Sequence, residues 1–392
     1  MDPYLVEWLN LLTRWGHMIA GIAWIGTSFY FVALDLSMRK AAGLPVGVSG
    51  ETWEVHGGGF YHVQKYLVAP AQLPDHLVWF KWEAYFTWVT GFVLLILQYY
   101  VNASAYLIDS SIMALTPWQA VGISIGGLAA GWIIYDLLCR SPLVEKPGLL
   151  ALCVFTLILG AAYGFAHVFS GRGAFIHIGA FIGTIMAANV FMVIIPNQRK
   201  ITAALLLGQK PDARFAVTGK QRSLHNTYLT LPVLVMMTSN HYSMITENPN
   251  AWLLMGLIVV GGAGLRHFLL HVEVGEPIAD MAWAIPLIGL ALAGALWLTE
   301  PQPAPAYAGK VTDEEALSIV QTRCSACHAR VPTDATIKTA PKGIELETLE
   351  NIKRYAQQIE TQAVKNKSMP LGNKTKMLPE ERAKLGAWIQ AQ

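Results

Sequence analysis

The most diagnostic segment of this chain reads Cys324-Ser325-Ala326-Cys327-His328. The spacing C-x-x-C-H is the attachment motif of a c-type haem, since two thiols this far apart can add to the two vinyl groups of one haem. His328 then becomes the predicted first axial ligand of the iron. A zinc site would need a second ligand pair, and a thioredoxin-like motif would need a strand–helix–strand context. Neither follows, so the segment predicts electron transfer and maturation in an oxidising, extracytoplasmic compartment.

Methionines further along the chain are candidates for the second axial ligand. Met369, which precedes Pro370, is the preferred candidate, and Met377 is the alternative. Both lie in polar sequence, where the usual role of methionine as apolar core filler explains little. A His/Met pair raises the potential of a haem, which would then accept electrons readily.

Residues 310–392 have the order of elements of a small cytochrome c domain. Thr312 and the acidic residues 313–315 open a helix that leads to the haem motif, and residues 378–381 open a closing helix that reaches Trp388. The proline and acids at the second start suit the first turn of a helix. Residues 340–343 predict a turn between the two axial ligands.

Residues 1–300 consist mostly of long apolar blocks. The whole chain is 54% hydrophobic and only 14% charged, against roughly 25% charged residues in soluble domains. Blocks of about 20 apolar residues are long enough to cross a bilayer. Eight spans are expected at about 9–36, 77–100, 118–138, 149–169, 174–196, 224–245, 251–272 and 281–299. The fifth and sixth should be discontinuous, because Asn189, Pro196, Pro232 and Asn240 interrupt them. The predicted fold is therefore all-α: a membrane bundle of eight transmembrane helices (1–300), a linker (301–309) and a C-terminal periplasmic cytochrome c domain (310–392).

Basic residues predict the orientation of this bundle. Lys and Arg collect in the loop 37–76 and in the loops after the third and fifth spans, whereas the loops 101–117 and 246–250 contain none. Because basic loops stay in the cytoplasm, both termini are expected outside, in the periplasm of a bacterial inner membrane. Attachment of a c-type haem also requires residues 310–392 to lie in the periplasm.

Ionisable residues inside spans are costly and often functional. Histidines on neighbouring helices are the ligands that a b-type haem needs. His17 with His167 or His177 could hold one, and His267 shares a helix face with His271, four residues on. The alternative is that each imidazole simply bonds to a carbonyl or to water. The sequence leaves both readings open.

Several long strings carry a family resemblance. They are Arg14-Trp15-Gly16-His17, residues 23–30 (AWIGTSFY), 54–61 (EVHGGGFY), 65–70 (KYLVAP) and 79–85 (WFKWEAY). With a fused cytochrome c, the chain resembles the bacterial membrane-bound, cytochrome-c-fused urate oxidases, or urate hydroxylases. The resemblance implies oxidation of urate to 5-hydroxyisourate in purine degradation. Electrons would pass to the chain's own haem c and on to a downstream cytochrome c or terminal oxidase, without hydrogen peroxide.

Urate is made in the cytoplasm, so the resemblance implies a site open to the inner face. Urate is an anion, which predicts a clamp of cationic or amide side chains; its oxidation also needs a general base. The clamp candidates are Lys65, Lys81, Asn189 and Arg266, and the base candidates are, in order, Glu83, Asp35 and His56. The alternative for Glu83 and Lys81 is a solvated span end. Urate gives up two electrons and a haem takes one at a time, which favours a second redox centre.

Two other functions fit the same pattern. A quinol-oxidising electron-transfer subunit would use the same histidines, and a transporter or redox sensor would use the cytochrome only to report state. The Gly57-Gly58-Gly59 run matches no phosphate-binding pattern and follows no clear strand, and no nucleic-acid module is present.

Overall fold

The computed structural model describes residues 3–66, 76–300, 307–334 and 337–392. The end of the predicted loop 37–76 and most of the predicted linker 301–309 lie outside these described residues.

Helices dominate the described chain, which also contains two strands. The helices are α1 (Pro3–Ser37), α2 (Trp82–Leu95), α3 (Ala103–Tyr106), α4 (Pro117–Arg140), α5 (Pro147–Ala166), α6 (Gly171–Ala188), α7 (Ile195–Leu206), α8 (Ala213–Thr238), α9 (Ser243–Thr246), α10 (Ala251–Glu273), α11 (Ile278–Met281), α12 (Ala284–Leu298), α13 (Asp313–Arg323), α14 (Leu349–Arg354), α15 (Ala356–Ile359) and α16 (Pro379–Gln390). The strands are β1 (Val48–His56) and β2 (Gly59–Tyr66). Wide π-helical turns at Ile96–Tyr100, Asn189–Ile194 and Glu360–Lys365 follow α2, α6 and α15.

The chain divides into two compact units. The first contains Met1–Leu94, Ala180–Leu234 and Ile258–Ala291, and the second contains Leu95–Gly179, Val235–Leu257 and Leu292–Gln392. All described residues of the C-terminal segment, residues 310–392, therefore belong to the second unit.

Five helical stretches in the described residues are long and apolar enough to cross a membrane. They are Tyr4–Ser37, Pro117–Arg140, Pro147–Ala166, Gly171–Leu206 and Ala251–Glu273. The other three predicted spans also contain helices, α2, α8 and α12. Of these, α2 and α12 have only 14 and 15 residues, and the first half of α8 is rich in charge. The five helices suit a multi-pass membrane protein.

Side-chain exposure on these helices agrees with a lipid environment. Ile22 of α1 is 68% exposed, Leu137 of α4 is 61% exposed and Leu290 of α12 is 71% exposed. Large apolar patches of this kind are rare on soluble monomers. Hydrocarbon chains around the helices would cover them.

One part of the prediction of a purely helical chain is wrong. Strands β1 and β2 pair antiparallel, from Val48 opposite Tyr66 to His56 opposite Gly59. Gly57 and Gly58 turn the hairpin with φ of 58° and 81°, a conformation that glycine adopts without steric cost. The glycine run therefore does follow a strand.

The fifth predicted span continues without a break, whereas the sixth is interrupted at Asn240, in a short turn that follows the end of α8. Helix α6 continues through the π-turn at Asn189–Ile194 into α7, and Pro232 lies inside α8. Gly262 of α10 makes room for that proline, because a Cβ at Gly262 would lie 2.8 Å from Pro232 Cδ. A wide turn thus accommodates Asn189 and a close helix contact accommodates Pro232, whereas the helix ends before Asn240.

The C-terminal segment has its own apolar core. Val320, Ile352, Leu385 and Trp388 are each at most 2% exposed and pack in one cluster. Helix α13 begins with a capping box between Thr312 and Glu315, and α16 begins with a proline in its first turn. Both helices, and a short turn at Pro341–Gly343, lie where the sequence predicts them.

Candidate functional site

The C-x-x-C-H residues form a tight turn at the end of α13. The amides of Cys327 and His328 both donate to the carbonyl of Cys324, at 3.1 and 2.9 Å. Both cysteines are free thiols. Burial raises the pKa of Cys324 to about 12 and also raises the pKa of Cys327.

The imidazole of His328 is oriented by the backbone. Its Nδ1–H donates to the carbonyl of Ile344 at 2.9 Å. This bond fixes the tautomer and leaves the lone pair of Nε2 for a metal. Such a second hydrogen bond is typical of a ligating histidine.

The two candidate methionines occupy different environments. Met377 is 2% exposed and belongs to the apolar core, so packing explains its thioether. Met369 is only partly buried against that core, and its backbone carbonyl accepts a hydrogen bond from Arg382 at 2.6 Å. Free thiols, an oriented imidazole and an available thioether fit a c-type haem. Met369 as the second ligand stays a prediction, which the different burial of the two methionines supports.

His17 in α1 has the hydrogen bonding of an oriented ligand as well. Its Nδ1–H donates to the carbonyl of Thr87 at 2.9 Å, and Thr90 Oγ1 lies 3.1 Å away. Gly91 makes the approach possible, since a Cβ there would lie 2.9 Å from His17 Cε1. Nε2 remains as the nitrogen for a possible b-type haem.

The other predicted haem ligands differ from one another. His177 is fully buried, with Nδ1 donating to Gly173 O at 2.6 Å and Nε2 bonded to Ser124 Oγ at 2.7 Å. Both nitrogens are thus used. His167 is exposed at the end of α5, and its Nδ1 donates to Tyr163 O at 2.7 Å. Ligation by either histidine stays a prediction.

The predicted bases have different surroundings. Asp35 is exposed and forms an ion pair with Lys65, one of the predicted clamp residues. His56 is exposed at the end of β1. Glu83 is partly buried in the first turn of α2, and Lys81 lies 5.2 Å from the ring of Trp82. Glu83 is the base candidate with the least solvent around it.

Asn189 belongs to a buried network in the first unit. Its amide donates to Asn226 Oδ1 at 2.9 Å and accepts from Arg222 Nη1 at 3.2 Å. Arg222 is 1% exposed, although sequence reasoning places it in a cytoplasmic loop. The amide of Asn189 thus has protein partners in place of a free face for urate.

Arg266 of α10 is the most unusual side chain of the first unit. It is 2% exposed, its guanidinium carbon lies 3.5 Å from the ring centre of Phe29, and its Nε and Nη2 have no hydrogen-bond partner. A buried arginine with unsatisfied donors is unfavourable unless an anion completes it. The neighbouring His267 bonds through Nδ1 to Tyr228 Oη at 2.8 Å, and its ring lies 4.3 Å from that of His271. A cation, an aromatic face and a phenol–imidazole pair therefore meet near this point of α10.

A family model described as urate oxidase N-terminal matches residues 3–299. This chain belongs to the urate oxidase N-terminal family. No curated protein and no solved structure matches it.

The match to the urate oxidase N-terminal family supports a urate-related oxidoreductase. It covers the histidines of the helices and Arg266, and it ends before the C-terminal segment. Within the described residues, no group of three His, Cys, Asp or Glu side chains has the arrangement of a metal site.

Sequence reasoning missed three residues of this urate oxidase N-terminal region. Nothing in the sequence singled out Phe29 or Tyr228 individually, and Arg222 was expected in a cytoplasmic loop. The sequence carries no clear signal for Arg222, because the first half of α8, in which it lies, is rich in charge.

Proposed function

We propose that this protein is a membrane-bound urate oxidase, or urate hydroxylase, that forms 5-hydroxyisourate in purine degradation. Electrons pass to its own haem c and on to a downstream cytochrome c or terminal oxidase, without hydrogen peroxide. One observation carries the proposal: a urate oxidase family match over residues 3–299 shares its chain with a C-x-x-C-H motif. The oriented imidazole of His328 adds support from the structure.

The proposed topology has eight spans in a bacterial inner membrane. Helices α2, α8 and α12 join the five apolar stretches as the remaining spans. An even number of spans puts the N-terminus and residues 310–392 on one side, the periplasm. The absence of Lys and Arg from the loops 101–117 and 246–250 supports that side.

Cys324 and Cys327 would hold the haem covalently, with His328 and Met369 as axial ligands. When bound, the haem would accept one electron at a time, at a potential raised by the His/Met pair. The oriented His17 supports a further b-type haem, for which His167, His177 and His267 remain candidate partners.

Arg266 is the proposed anion clamp. Urate and water give 5-hydroxyisourate, two protons and two electrons. A guanidinium can bind a planar anion through two parallel hydrogen bonds, and Nε and Nη2 are the two donors left over. Phe29 packs against the same guanidinium, whose carbon lies 3.5 Å from the ring centre. Glu83 is the first candidate for the base that removes the two protons, and Asp35 and His56 are the next candidates.

The test is anaerobic reduction by urate. Ferricyanide-oxidised protein receives urate, and the haem spectrum is followed while the product is identified. Reduction of the c-type α-band with formation of 5-hydroxyisourate is expected. The double variant Cys324→Ser/Cys327→Ser serves as the control without covalent haem. Prompt reduction by a quinol with none by urate would refute the proposal and favour a quinol-oxidising subunit.

A further inference from the structure

The segment that carries Met369 contacts two other parts of the second unit, the start of α9 and the end of α3. This segment, residues 366–373, is named the Met369 loop. Asn366 Nδ2 donates to Ser243 Oγ at 2.9 Å. At its other end the backbone of Gly372 lies against the end of α3, since a Cβ there would come within 2.9 Å of Ile108 O and 3.7 Å of Ala105 O.

The surface below the Met369 loop is well covered. Ala103, Ala105, Leu107 and Ile108 are each at most 8% exposed. These residues lie in a short helix and turn whose amides are hydrogen-bonded locally, such as Ile108 N to Ala103 O at 2.9 Å. Leu107 is also held from another direction, since Ser170 N donates to its carbonyl at 2.8 Å. Residues 103–109 and 243–247 are named the docking seat.

An arginine and two carboxyl groups interact across this contact. Arg382 of α16 is 6% exposed and interacts electrostatically with Asp109 and Glu247 of the docking seat. The same guanidinium donates to the carbonyl of Met369. One arginine therefore connects the predicted axial ligand with two acids of the docking seat.

We propose that the docking seat holds the Met369 side of the C-terminal segment and that electrons from urate enter on this side. The inference rests on the proposed function. Electron transfer slows steeply with distance, so a fixed contact at the Met369 loop would keep the haem-binding segment close to the docking seat. An external acceptor then takes the electron at a different face, which stays accessible while the seat is occupied.

Two glycines allow a matched test. Gly372 and Gly343 both have positive φ, 55° and 68°, but a Cβ at Gly343 has nothing within 4 Å. Gly372→Ala and Gly343→Ala thus carry similar backbone strain, and only the first meets the docking seat. Urate-driven haem reduction should fall by about tenfold or more in Gly372→Ala, as expected for a misplaced reacting pair. It should stay near the wild-type rate in Gly343→Ala.

Reduction by ascorbate, a small diffusing donor, should be the same in both variants. The Met–iron charge-transfer band of the oxidised protein should also persist in Gly372→Ala, which separates loss of docking from loss of ligation. Hydrogen exchange supplies a readout independent of activity: amides of residues 103–109 should exchange faster in Gly372→Ala than in wild type.

A second variant alters the docking seat alone. Glu247→Lys places a second cation near Arg382 and leaves the sequence of the C-terminal segment unchanged, so it should slow urate-driven reduction without slowing reduction by ascorbate. Wild-type urate kinetics and unchanged exchange in both Gly372→Ala and Glu247→Lys would overturn the inference. If urate fails to reduce the wild type, the proposed function fails, and the exchange experiment still tests the docking seat.

Discussion

Arg382 Nη1 donates a hydrogen bond to the backbone carbonyl of Met369 at 2.6 Å. The same nitrogen also donates to Ala363 O, and Nη2 lies 3.4 Å from Asn373 Oδ1. The guanidinium is almost fully buried. The closing helix α16 thereby fixes the backbone of the predicted axial ligand.

Replacing Arg382 should release that ligand. Arg382→Leu leaves buried carbonyls without a donor, which should cost about 2–3 kcal/mol of folding free energy. In thermal unfolding of the oxidised protein, the Met–iron charge-transfer band should disappear at a lower temperature than in wild type. Arg354→Leu, at an exposed position of α14, is the control. An unchanged band and melting temperature in Arg382→Leu would contradict this role.

The two methionines should respond differently to the same change. Met369→Leu removes the predicted ligand, so the charge-transfer band should vanish and the haem potential should fall. Met377→Leu is a volume-conserving core change that should cost less than about 1.5 kcal/mol and keep the band. Redox titration of both variants decides between them, and the reverse pattern would make Met377 the ligand.

Loss of the cation at Arg266 should weaken urate binding. Arg266→Met keeps the bulk of the side chain and removes about 1.5–3 kcal/mol of charge-assisted hydrogen bonding, so the KM for urate should rise about tenfold or more. Thermal stability without urate should not fall, because an unpaired buried charge disappears. The stabilisation that urate gives to wild type should be lost.

Arg140→Met is the matched control for Arg266. Arg140 is exposed and pairs with Asp136 one turn earlier in α4; exposed pairs of this kind contribute about 0.3–0.5 kcal/mol. Equal urate kinetics in both variants would remove Arg266 from the substrate site.

The position of His17 can be tested through its neighbour. Gly91→Ala pushes a methyl group to within 2.9 Å of His17 Cε1, so it should displace the ring. If His17 binds a b-type haem, both Gly91→Ala and His17→Ala should lose b-type absorbance and keep the c-type bands. Gly122→Ala in α4, where a Cβ has nothing within 4 Å, should keep both. A wild-type spectrum with c-type bands alone would end the b-haem hypothesis.

Glu247 predicts a pH dependence of stability. Burial raises the pKa of its carboxyl from 4.5 to about 7, while Arg172, Arg382 and a bond to Thr246 act against this and Asp109 adds to it. Between these two values the folded protein binds more protons than the unfolded chain, so stability falls as the pH rises through that window. Above pH 7 the carboxyl is charged in both the folded and the unfolded state, so it lowers the free energy of unfolding by a constant amount.

Glu247→Gln should therefore be more stable than wild type at pH 8, by about 1–2 kcal/mol, and similar to it at pH 4.5. Melting temperatures at several pH values give the comparison. Glu314→Gln, at an exposed position in the first turn of α13, should shift no melting temperature by a comparable amount. Parallel pH curves for wild type and Glu247→Gln would contradict the raised pKa.

Local features of the sequence predicted local features of the structure well. The Thr312 and Pro379 helix starts and the turn before Ile344 depend on nearby residues, and all lie where they were expected. The apolar blocks coincide with helices for the same reason, since block length and composition are properties of one segment. The hairpin of β1 and β2 was missed because its apolar residues, such as Trp53 and Phe60, face outward, so its strands lack a buried alternating face.

The chain order alone fixed the C-x-x-C-H spacing, the charge of the loops and the presence of Arg266 in an apolar block. Only the tertiary structure placed Arg266 against Phe29 with two unsatisfied donors. Only the tertiary structure made Arg222 a hydrogen-bond partner of Asn189. It also separated Met377, a core residue, from Met369, whose carbonyl Arg382 holds. These differences depend on burial and hydrogen bonding between residues far apart in the chain, and neither spacing nor hydropathy encodes which distant groups will meet.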